Sequence, residues 1–330
     1  MTDKIKLGIV FAGQGAQYPG MGKDLYDTNP AAKDIFDRAG DKIKSDCFEG
    51  DAETLKETSV TQPAVYTLDL AAFYALLEAM GDEMPEIAAV AGFSLGEYAA
   101  LEAVGVLSSF EEGLELVIKR SLLMKEAGKH SDGTPRGSMA AVLGSTEGVL
   151  ALVEKTKGDD VLQAVNFNCA TQTVVAGDKE AIDRMAAAAK EDKSLGLKVI
   201  PLSVGGAFHS EIMQPAAEGL AEVLAKCTFS EPKYNLYINV TGDNILSSIE
   251  GEFDSLKIEE ILYEQIKSPV RWQTTIENMV RDGVNTIIEM GPGKTLSGLV
   301  KKIAPEVISL HVENEETLNE VIAKLKSGEF

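Results

Sequence analysis

The chain alternates short apolar runs with longer stretches in which apolar residues recur every three or four positions. That rhythm predicts strands and helices in turn. Leu7 to Phe11 is a β-branched and aromatic run that ends in the turn residues Ala12-Gly13-Gln14-Gly15. Thr61 to Met80 is long, Ala- and Leu-rich, and reads as a helix. Ile87 to Ala91 is a strand, followed after a short turn by the helix-like run Tyr98 to Val104. Ser108 and Ser109 stand three residues before Glu111 and Glu112, the spacing of a capping box, and the helix they open runs to about Ala127. Gly128 follows as a C′ residue.

Lys129 to Gly137 (KHSDGTPRG) is polar and carries Gly and Pro, which makes it the best boundary in the chain. Beyond it come strand Met139–Leu143, helix Glu147–Thr156, strands Val161–Phe167 and Thr171–Ala176, helix Lys179–Lys190 and strand Lys198–Leu202. The order β-α-β-β-α-β is that of a ferredoxin-like unit. Tyr234–Val240 reads as strand, Ile258–Ile266 as helix and Thr286–Glu289 as strand. Gly291-Pro292-Gly293 turns into helix Thr295–Ile303, and Val307–Val312 and Thr317–Lys326 close the chain as strand and helix. The expectation is an α/β protein with a large domain, 1–128 and 203–330, interrupted by a small inserted domain, 129–202.

At 330 residues the chain is long enough for this arrangement, and its apolar and charged fractions are those of a soluble globular enzyme. No apolar run approaches the ~20 residues that span a bilayer. The N-terminus lacks a signal-peptide pattern. Cys47, Cys169 and Cys227 are odd in number and far apart, which fits a reducing cytoplasm better than a disulfide framework. A net charge of −21 argues against a nucleic-acid partner. The scattered His and Cys residues suggest no metal site.

The turn after Ile87–Ala91 reads Gly92-Phe93-Ser94-Leu95-Gly96, a G-x-S-x-G between a strand and a helix. That context defines a nucleophile elbow, with the Ser94 hydroxyl at a helix N-terminus. A serine needs a base, and the chain has three histidines. His130 falls in the polar linker and His311 in an apolar strand. His209 follows the glycine-rich turn Gly205-Gly206, which suits presentation to a cleft. No Asp or Glu stands out as its orienting partner, and a backbone carbonyl could serve. Arg120 sits on a helix face with Leu116, Leu123, Met124 and Ala127. A cation there snorkels, pairs internally, or grips a substrate carboxylate through its guanidinium fork. Gly13–Tyr18 breaks G-x-G-x-x-G at its last position. Gly293-Lys294-Thr295 lacks the first glycine of a P-loop, where Ile288 stands.

Phe11–Gly22 (FAGQGAQYPGMG), Gly92–Tyr98 (GFSLGEY) and Gly206–Ser210 (GAFHS) occur in this order, and the chain with them resembles the malonyl-CoA:acyl carrier protein transacylases. Thr61–Ala64, Val165–Asn168, Ser268–Trp272 and Glu289–Gly293 match the same family, so the resemblance spans about nine-tenths of the chain. It implies an α/β-hydrolase-like large domain with a ferredoxin-like insert, and ping-pong malonyl transfer from malonyl-CoA to acyl carrier protein without a further cofactor. It makes Ser94 the nucleophile and His209 the base. The backbone N–H groups of Gln14 and Leu95 become the oxyanion hole, and Arg120 the carboxylate clamp. The Arg271 carbonyl is expected to orient His209. Gln62, Asn166 and Asn168, with Phe93, Met124 and Phe208, would line the pocket.

The family motif more often has histidine where Phe93 stands, so a polar contact near the substrate carboxylate is lost. Phe208 matches the malonyl-selective form of its motif, since a phenyl ring crowds an α-methyl group. Lys294, Lys301 and Lys302, with Lys267 and Arg271, are candidates for docking an acidic carrier. The resemblance also implies a monomer. Two rivals come from other classes: a serine thioesterase or esterase on the same elbow, and a non-catalytic carrier-binding subunit. A free-standing acyltransferase of polyketide synthesis would use the same chemistry as one of fatty-acid synthesis.

Overall fold

The computed structural model describes residues 4–130, 132–248 and 253–329. Met1–Asp3, linker residue Ser131, residues 249–252 and Phe330 lie outside it. The elements in chain order are β1 (Lys6–Phe11), α1 (Lys23–Thr28), α2 (Pro30–Ala39), α3 (Asp41–Glu49), α4 (Thr58–Met80), β2 (Glu86–Gly92), α5 (Gly96–Ala103) and α6 (Phe110–Ala127). There follow β3 (Ser138–Leu143), α7 (Thr146–Thr156), β4 (Leu162–Cys169), β5 (Gln172–Gly177), α8 (Lys179–Glu191) and β6 (Lys198–Leu202). The chain closes with α9 (Gln214–Leu224), β7 (Asn235–Tyr237), α10 (Ser255–Gln265), α11 (Trp272–Arg281), β8 (Thr286–Met290), α12 (Thr295–Ile303), β9 (Ile308–Val312) and α13 (Glu315–Ser327).

Five strands form a parallel sheet in the order β7-β2-β1-β8-β9, with Ile9 facing Val90 on one side and Ile288 on the other. β1 and β8 are buried along almost their whole length, as expected of a parallel sheet covered on both faces. All five strands point the same way, so the loops after β1, β2, β7 and β8 gather at one edge, where open α/β sheets bind ligands. A second, separate sheet is antiparallel, in the order β4-β5-β3-β6. Its strands alternate faces. Ala140 and Val142 pack with Val149, Leu152 and Met185 of α7 and α8, whereas Met139 and Ala141 join the large core. The small sheet is therefore seated against the large body, and a cleft runs between them.

α4 crosses the centre of the protein. Together with the short turn after it, this helix is long and apolar enough to span a bilayer, yet it is mostly enclosed by the rest of the chain. Counting continuous apolar runs undercounts it, because Thr61, Gln62, Thr67 and Asp69 interrupt the run although all four are buried.

Five helices escape the sequence pattern: α1, α2, α3, α9 and α11 are short and carry apolar residues on one stripe only. For α2 the start signal was present, since Asn29 accepts from Ala32 N and Pro30 sits at the first position. The strand expected at Tyr234–Val240 is shorter, Asn235–Tyr237, because the chain turns after Tyr237 and Asn239 is drawn to the elbow. Ser109 does cap α6 by accepting from Glu112 N. Gly128 is not a left-handed C′ residue: its φ is −76°. It is glycine for space, since a Cβ there would lie 2.7 Å from the Gly205 carbonyl oxygen.

Candidate active site

The loop after β2 turns so sharply that neither flanking glycine could carry a side chain. A Cβ on Gly92 would fall 1.9 Å from the Gly96 carbonyl carbon, and one on Gly96 would fall 2.3 Å from Phe11 O. Ser94 sits at the tip with φ of +53°, a left-handed conformation that non-glycine residues seldom adopt. His209 has φ of +63°, so both facing residues are held in this region.

The Ser94 Oγ to His209 Nε2 distance is 2.7 Å, and His209 Nδ1 lies 2.9 Å from the Gln265 carbonyl oxygen. A carbonyl can only accept, so Nδ1 carries the proton and Nε2 is free to accept from the serine. Burial, helped by the nearby Arg120 charge, lowers the His209 pKa to about 4. The imidazole is therefore neutral at physiological pH.

The acceptor on Nδ1 corrects the expectation placed on Arg271. The Arg271 carbonyl is already taken by Thr275 N, at 3.0 Å, inside α11. Its side chain donates to Val240 O and its guanidinium lies over the Phe167 ring. Gln265 is the residue that sequence reasoning missed, because a main-chain carbonyl has no sequence signature.

Arg120 is fully buried on α6 and its guanidinium reaches the Ser94 hydroxyl. Nη2 donates to Ser94 Oγ at 3.2 Å and to Gln265 Oε1 at 3.3 Å, while Nη1 donates to Gln62 Oε1 at 2.8 Å. All three acceptors are neutral, and the cation also faces the Tyr98 ring at 5.0 Å. The side chain does not snorkel, and among the described residues no carboxylate pairs with it directly, buried Glu97 acting on its charge from farther off.

Backbone N–H groups on the loops after β1 and β2 divide into committed and free donors. Ser94 N and Gly96 N are committed to Asn239 Oδ1 and Phe93 O, at 2.7 and 3.0 Å. Leu95 N, between them, has no acceptor among the described residues, and the same holds for Gln14 N on the loop after β1. Gln14's side chain is tied instead to Thr58 and Gln62, both at 3.4 Å.

Ser94, His209, Arg120, Met124, Phe208 and Gln14 enclose a chamber of about 100 Å³. It shares Phe93, Asn166, Leu202 and Val204 with a wider channel of about 350 Å³ between the two sheets. Asn168 and α12 residues Thr295, Leu296 and Leu299 line that channel. Among the described residues, the buried Oδ1 atoms of Asn166 and Asn168 have no hydrogen-bond partner. Phe93 meets Trp272 edge-on at 5.4 Å. Gln62 touches the chamber through Arg120 and Met124. His130 is exposed and His311 lies on edge strand β9, far from this chemistry. Among the described residues, no group of three or more His, Cys, Asp or Glu is placed to hold a metal ion.

Residues 9–323 match the acyl transferase domain family. The Bacillus subtilis malonyl CoA-acyl carrier protein transacylase is 39% identical over 327 residues, which is 97% of this chain and 98% of that protein. The crystal structure of the malonyl CoA-acyl carrier protein transacylase from Clostridium perfringens superposes with a TM-score of 0.88 at 37% identity, covering 98% of each chain. A malonyl-transacylase in complex with its type II PKS acyl-carrier protein superposes with a TM-score of 0.86 at 31% identity, over 97% of this chain and 99% of its own.

Proposed function

This chain belongs to the malonyl CoA-acyl carrier protein transacylases, and from that premise we propose how its residues divide the reaction. The protein is an acyltransferase that moves a malonyl group from malonyl-CoA to the phosphopantetheine thiol of holo acyl carrier protein, through a malonyl-serine ester. The loaded carrier feeds fatty-acid chain elongation. The observation that carries the assignment of roles is a single oxygen, Ser94 Oγ, held between a neutral base and a buried cation.

In the first half-reaction His209 Nε2 takes the hydroxyl proton as Ser94 Oγ attacks the thioester carbonyl carbon. The carbonyl oxygen becomes an oxyanion facing the Gln14 and Leu95 N–H groups. One such donor contributes roughly 3 kcal/mol to the transition state. The C–S bond breaks and the CoA sulfur leaves with the proton held on Nε2. Gln265 O steadies the imidazolium through Nδ1 in both directions. In the second half-reaction the carrier's thiol gives its proton to Nε2 and attacks the ester, and Ser94 recovers its hydroxyl. Arg120 holds the distal carboxylate, exchanging neutral acceptors for a charged one. No step calls for a cofactor.

Phe208 walls the chamber and leaves little room for an α-methyl group, which favours malonyl over methylmalonyl. Asn166 and Asn168 offer free acceptors to the amide groups of the pantetheine arm as it lies in the channel. Exposed Lys301 and Lys302 belong to α12, the helix whose first turns line the channel, and are the dock proposed for an acidic carrier. Lys267 is a weaker candidate, being paired with Glu264 at 2.8 Å.

The same reading makes residues 1–128 and 203–330 an α/β-hydrolase-like domain and 129–202 a ferredoxin-like insert, supported by the β4-β5-β3-β6 order. It places a monomeric enzyme in the cytoplasm, in keeping with three free cysteines. A structural relative paired with a type II PKS carrier makes polyketide synthesis the alternative destination.

Intact-mass spectrometry after brief mixing with malonyl-CoA tests this reading, using wild type and Ser94→Ala. A malonyl adduct on wild type alone, which then moves to added holo carrier, is expected. Decay to free malonate with the carrier ignored would favour a thioesterase. Comparing fatty-acid and polyketide carriers in the second step separates the two destinations.

A further inference from the structure

The backbone N–H groups around the nucleophile have separate tasks. Phe93 N donates to Phe11 O, Gly96 N to Phe93 O and Ser94 N to the Asn239 side chain. Only by this last bond is the nucleophile's own N–H taken out of the oxyanion site, leaving Leu95 N as the elbow's free donor. Asn239 is 1% exposed and uses both ends of its amide. Oδ1 accepts from Ser94 N at 2.7 Å and Nδ2 donates to Gly92 O at 2.6 Å. One side chain thus spans the turn across which Ser94 holds a φ of +53°.

The Asn239 backbone is fixed from two further sides. Its N–H donates to Glu97 Oε2 at 2.9 Å, and its carbonyl accepts from Arg271 N at 2.9 Å. Glu97 follows the elbow on α5, and Arg271 precedes α11. The strap is therefore anchored on elements that flank the turn, and not on the turn alone. A carboxamide can accept and donate at once without charge, which neither a carboxylate nor an apolar side chain of this size can do. Of the residues that line the chamber it bonds to Ser94 alone, through the main chain, and among the described residues it makes no hydrogen bond to Arg120.

We propose that Asn239 is a positioning residue for acyl transfer, a strap that holds the strained elbow so that Ser94 Oγ faces His209 and the Leu95 N–H faces the oxyanion. This rests on the reading of Ser94 as the nucleophile that accepts the acyl group. Without the strap, the turn relaxes away from its left-handed conformation, and both the nucleophile and the adjacent donor lose alignment. The expected signature is a loss in turnover with binding intact, and one that is blind to the acyl group.

The test is Asn239→Ala, with acylation by malonyl-CoA and acetyl-CoA measured in parallel by quenched-flow mass spectrometry. A fall of about 100-fold in kcat for both acyl groups is expected, the size of losing one oxyanion donor. KM should stay within roughly threefold, as for an interaction made in the transition state. A kcat near wild type overturns the proposal, as does a loss confined to malonyl, which would report on Arg120. Should the alanine variant fail to fold, Asn239→Asp keeps the shape and the acceptor but gives up the donor to Gly92 O at neutral pH, and the same pattern in kcat is expected. A wild type that takes up no malonyl group overturns the nucleophile reading and the strap with it. A normally acylated wild type beside an equally fast Asn239→Ala overturns the strap alone.

Discussion

Replacing Arg120 by alanine separates the two jobs of the site, acyl transfer and recognition of a carboxylate. The guanidinium is fully buried, so the malonyl carboxylate proposed for it would be met away from bulk water. Two charge-assisted hydrogen bonds contribute roughly 1.5–3 kcal/mol each. Leaving a buried charge without its partner costs roughly 3–5 kcal/mol. Both routes put the malonyl loss at about 10²–10⁴-fold in kcat/KM. Acetyl carries no carboxylate. For it, the substitution removes only neutral-acceptor bonds to Gln62, Gln265 and Ser94, at 2.8, 3.3 and 3.2 Å. A loss of about tenfold or less is expected there.

The ratio of malonyl to acetyl acylation, read as the rate of adduct formation on Ser94, should therefore collapse by about 100-fold or more. A pH signature accompanies it. The Arg120 charge is one cause of the lowered His209 pKa, about 4 in the intact site. The base works only when neutral, so activity falls as pH drops through that value. Removing the cation raises the pKa, and the variant should lose activity at a higher pH than wild type. Equal losses for malonyl and acetyl would refute the clamp, and an unmoved acid limb would refute the electrostatic coupling to His209.

Arg271→Ala should leave kcat for malonyl-CoA within roughly threefold of wild type, because its side chain reaches Val240 O and the Phe167 ring and its main chain is retained. A large loss in kcat would show that the Arg271 side chain itself acts on the site. Phe208→Ala should raise the methylmalonyl-to-malonyl ratio by about tenfold or more, the scale of one methyl group in a tight pocket; competition between the two CoA esters measures it. Charge reversal at Lys301 and Lys302 should raise the carrier KM several-fold at low salt while leaving the CoA half-reaction unchanged. Steady-state kinetics at two ionic strengths would reveal an unaltered carrier KM, which would move the docking surface elsewhere.

Much of this protein was legible in one dimension. Strands β1 and β8 read as short apolar runs because they are buried on both faces. The small unit declared itself by a change of rhythm after Gly128 and by the order of its elements. Gly92-Phe93-Ser94-Leu95-Gly96 marked Ser94 as the candidate nucleophile because the turn admits no Cβ at its first and last positions, a constraint written in residue type. His209 stood out by elimination among three histidines, and Arg120 by its apolar company on one helix face.

Tertiary structure decided everything that depends on main-chain atoms and on distant segments meeting. The partner of His209 is a carbonyl, which any residue could supply, so only the path of the chain at Gln265 selects it over Arg271. The free donor at Leu95 is set by Asn239, 145 positions away from Ser94, which takes the neighbouring N–H. Asn239 itself hid inside an expected strand that ends early because its side chain is bound to the elbow. Sequence records side chains and local spacing. It carries no local mark of which backbone groups are left unpaired once the chain has closed, and the roles proposed here for the oxyanion donors and for the partner of His209 rest on those groups.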